Sequence, residues 1–217
     1  MHTAHAGGFF FSVRGRLPHP MSDDPKARKR ALRSELIAAR ARISQEDRLA
    51  ASQRIAERLD TFDPVRSARV VALYAPLGTE VDAALIARRL RARGVRVLFP
   101  RAIVGERRLV FCACEPTDLV RGPLGAGEPP ASAIEVALGD IDAFLIPGVA
   151  FSVDGLRLGR GGGYYDVTLK QAPRPPRIGL AFDAQILPTL PREPHDVPLD
   201  AVVTEARTLS FPRERPA

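Results

Sequence analysis

The feature that most constrains the fold is the alternation of short β-branched runs with segments of helical periodicity. Strands are predicted at 70–74, 95–99, 108–114, 143–146, 178–182 and 201–204. Helices are predicted at 25–42, from a Ser44 cap to about residue 59, at 82–93 and at 164–171. This alternation predicts an α/β fold with three layers, α/β/α, and a mainly parallel sheet, in which ligands bind at the carboxyl ends of the strands.

The length and the first residues indicate one domain with an extension. The chain has 217 residues, of which 45% are hydrophobic, and this suits a single packed core. Residues 1–20 are rich in glycine, phenylalanine and proline, whereas Met21 opens an ordinary helix lead-in. We expect residues 1–20 to be a disordered N-terminal extension and residues 21–217 to form one domain. The apolar runs are too short for a membrane span or a signal-peptide core.

The net charge indicates the type of ligand, and the cysteines indicate the redox state of the chain. The net charge is +7, which favours an anionic ligand. Only 6% of residues are aromatic and the charge is spread thinly, so a nucleotide phosphate or a polycarboxylate is favoured over nucleic acid. Cys112 and Cys114 are a single pair of cysteines, which is too few for a zinc site, and we predict that both are free thiols, as in a reducing cytosol.

The strongest motif is Leu-Gly-Arg-Gly-Gly-Gly-Tyr-Tyr-Asp at 158–166, between a strand and a helix. Four glycines in five positions bury nothing and cost conformational entropy unless the backbone must approach a ligand closely. Free N–H groups and the helix N-terminus form a nest for phosphate, and Arg157 and Arg160 can add bidentate bonds. Asp166 offers a carboxylate to Mg²⁺. The alternative is a flexible surface loop.

Three weaker signals accompany this motif. Lys29, Arg33 and Arg40 share one helix face, which indicates either a solvated basic surface or a bound anion. Glu80 lies at a strand-to-helix junction, where Asp82 is explained as a helix cap, and Glu80 could accept N–H groups of a ligand. Asp196, before the last strand, is a second candidate metal carboxylate.

Taken in order, these four pieces resemble the 5-formyltetrahydrofolate cyclo-ligase family, also called methenyltetrahydrofolate synthetases. The order is a Lys-x-x-x-Arg helix, a strand followed by Pro-x-x-x-Glu-Val-Asp, the Gly-Arg-Gly-Gly-Gly-Tyr-Tyr-Asp motif, and a closing His-Asp-Val-Pro-Leu-Asp. The resemblance runs from about Lys26 to Glu205. It implies a cytoplasmic, usually monomeric enzyme that uses ATP and Mg²⁺ to convert 5-formyltetrahydrofolate, including its polyglutamates, into 5,10-methenyltetrahydrofolate.

The resemblance also implies roles for individual residues. Arg157 and Arg160 would be catalytic, and Asp166 and Asp196 would bind Mg²⁺. The residues implied to bind ATP are Lys29, Arg33, Arg157, Leu158, Gly159, Arg160, Gly161, Gly162, Gly163, Tyr164 and Tyr165. Those implied to bind the folate are Leu77, Glu80, Arg160, Gly161, Gly162, Gly163 and Tyr164. The chain departs from some members at Gly162, where they have lysine, and at Val167, where they often have arginine.

Two other functions are compatible with this layering, because a fold does not fix a function. One is a sugar-phosphate or acyl-carrier enzyme that works without ATP. The other is a binding module whose basic charge and phosphate loop serve a nucleic acid.

Overall fold

The structure, a computed structural model, describes residues 24–212. The predicted extension at 1–20 lies outside the described residues. The helices are α1 Pro25–Ala41, α2 Gln45–Thr61, α3 Asp63–Arg66, α4 Ala83–Ala92 and α5 Tyr164–Gln171. The strands are β1 Val70–Ala72, β2 Arg96–Ile103, β3 Arg108–Ala113, β4 Val120–Arg121, β5 Gly127–Glu128, β6 Glu135–Val136, β7 Ala143–Ile146, β8 Ala150–Ser152, β9 Arg157–Leu158, β10 Arg177–Leu180, β11 Ile186–Leu187, β12 Ala201–Val203 and β13 Thr208–Ser210.

Eight strands form the central sheet in the order β13-β12-β10-β7-β1-β2-β3-β6. The five strands from β12 to β2 are parallel to one another, while β13, β3 and β6 join antiparallel at the two edges. This arrangement confirms the predicted α/β class with a mainly parallel sheet.

Helices cover both faces of this sheet, because its buried strands are apolar on both sides. On one face Ile55 and Leu59 of α2 and Ile86 of α4 pack against alternate strand residues such as Val71 and Leu145. On the other face the neighbouring strand residues, including Phe144 and Ile146, pack with Leu169 of α5. The result is the three-layer arrangement that the alternating pattern predicts.

A small sheet positions the first helix over the site. Strands β11, β8 and β9 form this sheet. The buried residues Leu158 in β9, Val149 just before β8 and Leu190 after β11 pack with Leu32 and Leu36 of α1. These apolar residues of α1 are only partly buried. The two buried residues of this helix are instead the cations Lys29 and Arg40.

The prediction that the second strand ends at residue 99, before Pro100, is wrong. Strand β2 runs to Ile103, and Pro100 pairs with Phe111 of β3. Arg96 N donates to Arg69 O, and Leu98 O accepts from Leu73 N, so even-numbered residues of β2 turn their backbone groups toward β1. The nitrogen of Pro100 lacks a hydrogen and faces the side beyond the end of β1, where no ladder bond is lost.

Two further sequence expectations concern membranes and thiols. Across residues 24–212 each helix is too short or too polar to traverse a lipid bilayer. Cys112 and Cys114 are both free thiols, as predicted, and burial raises the pKa of each.

Candidate active site

A cleft of about 840 Å³ opens where the chain leaves the carboxyl ends of two neighbouring parallel strands. Ala75 and Leu77 follow β1, Pro147 and Gly148 follow β7, and all four residues line the cleft. The same wall continues into residues 157–167, and α1 borders the cleft on another side. The cleft therefore lies where a parallel α/β sheet is expected to bind its ligands.

The glycine loop, residues 159–163, has a backbone that side chains rarely allow. Gly161 and Gly163 have φ angles of 100° and 75°, and Gly163 is the N-cap of α5. Two arginines hold this loop from outside. Arg33 Nε donates to Gly159 O at 2.8 Å, and the Arg107 guanidinium donates to Gly162 O at 2.9 and 3.3 Å. The loop is thus fixed with its N–H groups near the N-terminus of a helix.

Lys29 forms a buried ion pair at the edge of the cleft. Its Nζ lies 2.8 Å from Glu193 Oε2, and 2.7 and 2.6 Å from the two carboxylate oxygens of Asp196. The Lys29 side chain is 5% exposed. The basic face of α1 is therefore not a solvated surface, because Lys29 meets a chain segment more than 160 residues away.

Glu80 lies between two arginines. Its Oε1 accepts from Arg160 Nε at 3.2 Å and from Arg160 Nη2 at 3.0 Å, and its Oε2 accepts from Leu77 N at 2.9 Å. Arg40 Nη2 is 3.9 Å from Glu80 Oε1. Burial lowers the pKa of Arg40, and the Glu80 carboxylate opposes this effect. Glu80 thereby couples α1 to the glycine loop.

Arg157 and Tyr165 line the cleft beside Asp166. Arg157 Nη2 donates to both oxygens of Asp166 at 3.4 and 3.3 Å, and its guanidinium carbon lies 5.3 Å from the centroid of the Tyr165 ring. Burial raises the pKa of Tyr165 well above its usual value, so the phenol keeps its proton at neutral pH. Within residues 24–212 the Tyr165 hydroxyl has no hydrogen-bond partner, which leaves it free to bond a ligand.

The carboxylates of the cleft fit a hard divalent cation in type. Within the described part of the chain, the group of metal-capable side chains consists of Glu193, His195 and Asp196, whose ligand atoms lie within 4.8 Å of one another. Asp166 Oδ1 accepts from Val197 N at 3.3 Å and so lies beside this segment. Carboxylate oxygens are the ligands that Mg²⁺ prefers, and here Lys29 and Arg157 balance their charge.

The residues singled out in the sequence are brought together. Those that line the cleft are Lys29, Arg33, Leu77, Glu80, Arg157, Leu158, Gly159, Arg160, Gly161, Gly162, Gly163, Tyr164, Tyr165, Asp166 and Asp196. Sequence reasoning missed Glu193, Arg107 and Glu128, which also line it. Glu193 could have been found from its position three residues before Asp196. The other two lie in the region of β2 to β5, whose folding back over the cleft no local pattern indicates.

The fold and this cleft define the protein as a three-layer α/β protein whose cleft is lined by cations and by the backbone of a glycine loop. The model of the 5-formyltetrahydrofolate cyclo-ligase family matches residues 25–205. The chain belongs to that family.

Individual relatives agree with this assignment. The 5-formyltetrahydrofolate cyclo-ligase of Escherichia coli K12 is 34% identical over 170 residues, which cover 76% of this chain and 93% of the relative. The solution structure of the Aquifex aeolicus 5,10-methenyltetrahydrofolate synthetase matches with a TM-score of 0.75 at 29% identity, covering 87% of this chain and 95% of that one. The Mycoplasma pneumoniae 5,10-methenyltetrahydrofolate synthetase structure matches with a TM-score of 0.66 at 28% identity, covering 82% and 98%.

Proposed function

We propose that this enzyme uses ATP to convert 5-formyltetrahydrofolate into 5,10-methenyltetrahydrofolate, releasing ADP and phosphate. The observation that carries the proposal is the glycine loop. Two arginines fix its backbone at the edge of a cleft that has both charged and apolar walls. The charged part suits a triphosphate, and the apolar part suits a flat ring system. Family membership supports the same reaction.

The chemistry needs an activated formyl oxygen, because an amide oxygen is a poor leaving group. In the proposed first step the formyl oxygen attacks the γ-phosphorus, the bond to ADP breaks, and an N5-iminium phosphate forms. In the second step N10 attacks the formyl carbon, the carbon–oxygen bond breaks, phosphate departs, and N10 loses its proton. The protein mainly aligns two substrates and neutralises the charge of the transferred group.

The cations of the cleft would perform this neutralisation. Arg160 is the best placed for a catalytic role, because it lies within the glycine loop and 44% of its side chain is exposed. Lys29 and Arg33 on α1 and the backbone of residues 158–165 would bind the nucleotide. Arg157 is buried against Asp166, so in this proposal it acts on the phosphates together with that carboxylate.

Mg²⁺ would be held by Asp166 and Asp196, whose oxygens approach the cleft from two different segments. When bound, such an ion neutralises phosphate oxygens. Lys29, which contacts both oxygens of Asp196, would then keep this carboxylate oriented between turnovers.

The folate would occupy the wall formed by Leu77, Glu80, Tyr164 and the glycine loop. A polyglutamate tail would reach solvent, and the net charge of +7 would favour the approach of such an anionic tail. The proposal includes a cytoplasmic monomer formed by residues 21–217, as the resemblance implies.

The test is the absorbance of the methenyl product formed from 5-formyltetrahydrofolate, with and without ATP. We expect product only when both ATP and Mg²⁺ are present. A sugar-phosphate enzyme or a nucleic-acid-binding module would give no such signal, and product formed at an equal rate without ATP would refute the proposed role of ATP.

A further inference from the structure

A further carboxylate, that of Glu128, lines the cleft in the region of β2 to β5. Glu128 is the last residue of β5, and it is only 7% exposed. The neighbouring lining residues Pro100, Leu109, Leu124 and Ala126 make this part of the cleft largely apolar. A buried carboxylate in such surroundings loses hydration and needs hydrogen-bond donors to compensate.

The absence of a side chain at Gly122 leaves the space that the Glu128 side chain occupies. A Cβ at Gly122 would lie 2.2 Å from the carboxyl carbon of Glu128, so no other residue type fits at 122 without displacing the carboxylate. Ala102 N donates to Glu128 Oε2 at 3.2 Å. Burial raises the pKa of Glu128, and the Ala102 N–H and the nearby Arg101 only partly offset this.

Glu128 differs from Glu80 because one of its carboxylate oxygens remains available as a hydrogen-bond acceptor. Both oxygens of Glu80 accept hydrogen bonds within the protein, from Arg160 and from Leu77 N. By contrast, Glu128 accepts one bond within residues 24–212, and its Oε1 has no donor there. A side chain that is more than nine-tenths buried, lines the cleft and has a free oxygen is an acceptor prepared for a ligand N–H.

The chemistry of the two substrates decides which ligand this acceptor fits. The aminopyrimidinone edge of a folate presents an amide N–H and an amino group side by side, and both are donors. Adenine presents an amino group flanked by ring acceptors, which a carboxylate repels. The triphosphate and the glutamate tail are anionic, and they are excluded by charge.

We propose that Glu128 is a substrate-binding residue that accepts hydrogen bonds from the aminopyrimidinone edge of the folate ring, an assignment that rests on the proposed function. It fixes the end of the ring system opposite the glutamate tail. The formyl group is thereby held at a set distance from the glycine loop.

The experiment measures the dissociation constant of 5-formyltetrahydrofolate, and that of its analogue in which hydrogen replaces the 2-amino group. Both ligands are titrated into the wild-type protein and the Glu128→Ala and Glu128→Gln variants. Glu106→Ala is the matched control, because Glu106 is an exposed carboxylate that lines the same cleft. Thermal melts identify any variant that does not fold, and Glu128→Gln, which keeps the size of the side chain, then decides the question.

We expect Glu128→Ala to weaken folate binding about 10- to 100-fold, as for a lost hydrogen bond to a charged group. The affinity of the Glu128 variants for ATP should stay at the wild-type value. The affinity of the Glu106→Ala variant for the folate should also stay at the wild-type value. The wild-type protein should bind the analogue more weakly than the substrate. This difference should vanish in Glu128→Ala and shrink in Glu128→Gln, because removing the amino group from the ligand and replacing Glu128 in the protein disrupt the same contact.

The proposal is overturned if the folding Glu128 variants bind and discriminate as the wild type does, or if their affinity for ATP falls instead. These results are separable from failure of the proposed function. A wild-type protein that binds the folate through Glu128 but forms no methenyl product would refute the proposed reaction and leave the binding assignment intact.

Discussion

Replacing Lys29 with methionine tests the buried ion pair that joins α1 to the segment around Asp196. Methionine has a similar volume but no charge, so Lys29→Met leaves Glu193 and Asp196 facing each other without a cation. Breaking a buried pair costs about 3–5 kcal/mol, and we expect the lower end because the two acids are 23% and 12% exposed. For a chain of this size about 3 kcal/mol lowers the melting temperature by roughly 6–12 °C.

The assay is a thermal melt with and without added Mg²⁺, beside the same melt of Lys26→Met. Lys26 is an exposed lysine one turn earlier on α1 that also lines the cleft, so its loss should change the melting temperature little. Added Mg²⁺ should restore part of the stability of Lys29→Met, because the ion replaces the missing charge between the carboxylates. A melting temperature equal to that of the control would refute the argument that this pair stabilises the fold.

Three further predictions concern the glycine loop and the metal carboxylates. Arg160→Ala should lower the turnover number by about 10²-fold, with Arg160→Lys intermediate because lysine keeps the charge but not the two-pronged geometry; equal rates in initial-rate assays would contradict this. Asp166→Asn and Asp196→Asn should weaken the Mg²⁺ dependence of turnover more than folate binding, and an unchanged Mg²⁺ titration in both would exclude them as metal ligands. Gly163→Ala should cost about 1–2 kcal/mol in thermal melts, because its φ is positive, whereas the open, ordinary backbone at Gly139 should tolerate alanine; equal melts would argue against the strain.

Local signals in the sequence predicted the helices well. The Ser44 side chain accepts from Asp47 N, and the Asp82 side chain accepts from Ala84 N and Leu85 N, as expected of N-caps. These contacts span only two or three residues, so the nearby sequence specifies them. The same holds for α5, which spans the predicted residues 164–171.

Features that depend on residues distant in the chain could not be predicted from the local sequence. Whether Pro100 ends a strand depends on where the neighbouring strand β1 ends, which its own neighbourhood does not contain. The burial of Lys29 depends on two acids that are more than 160 residues away. Glu128 was missed for the same reason, because β5 reaches the cleft only once the chain folds back against β2.

The most direct test of the central claim follows the formyl oxygen. The substrate is labelled with ¹⁸O at the formyl group, incubated with the enzyme, ATP and Mg²⁺, and the released phosphate is examined by mass or by its ³¹P resonance. Transfer of the γ-phosphoryl group onto the formyl oxygen predicts that each phosphate carries one ¹⁸O atom. Phosphate without the label, formed in step with the methenyl product, would contradict the proposed mechanism.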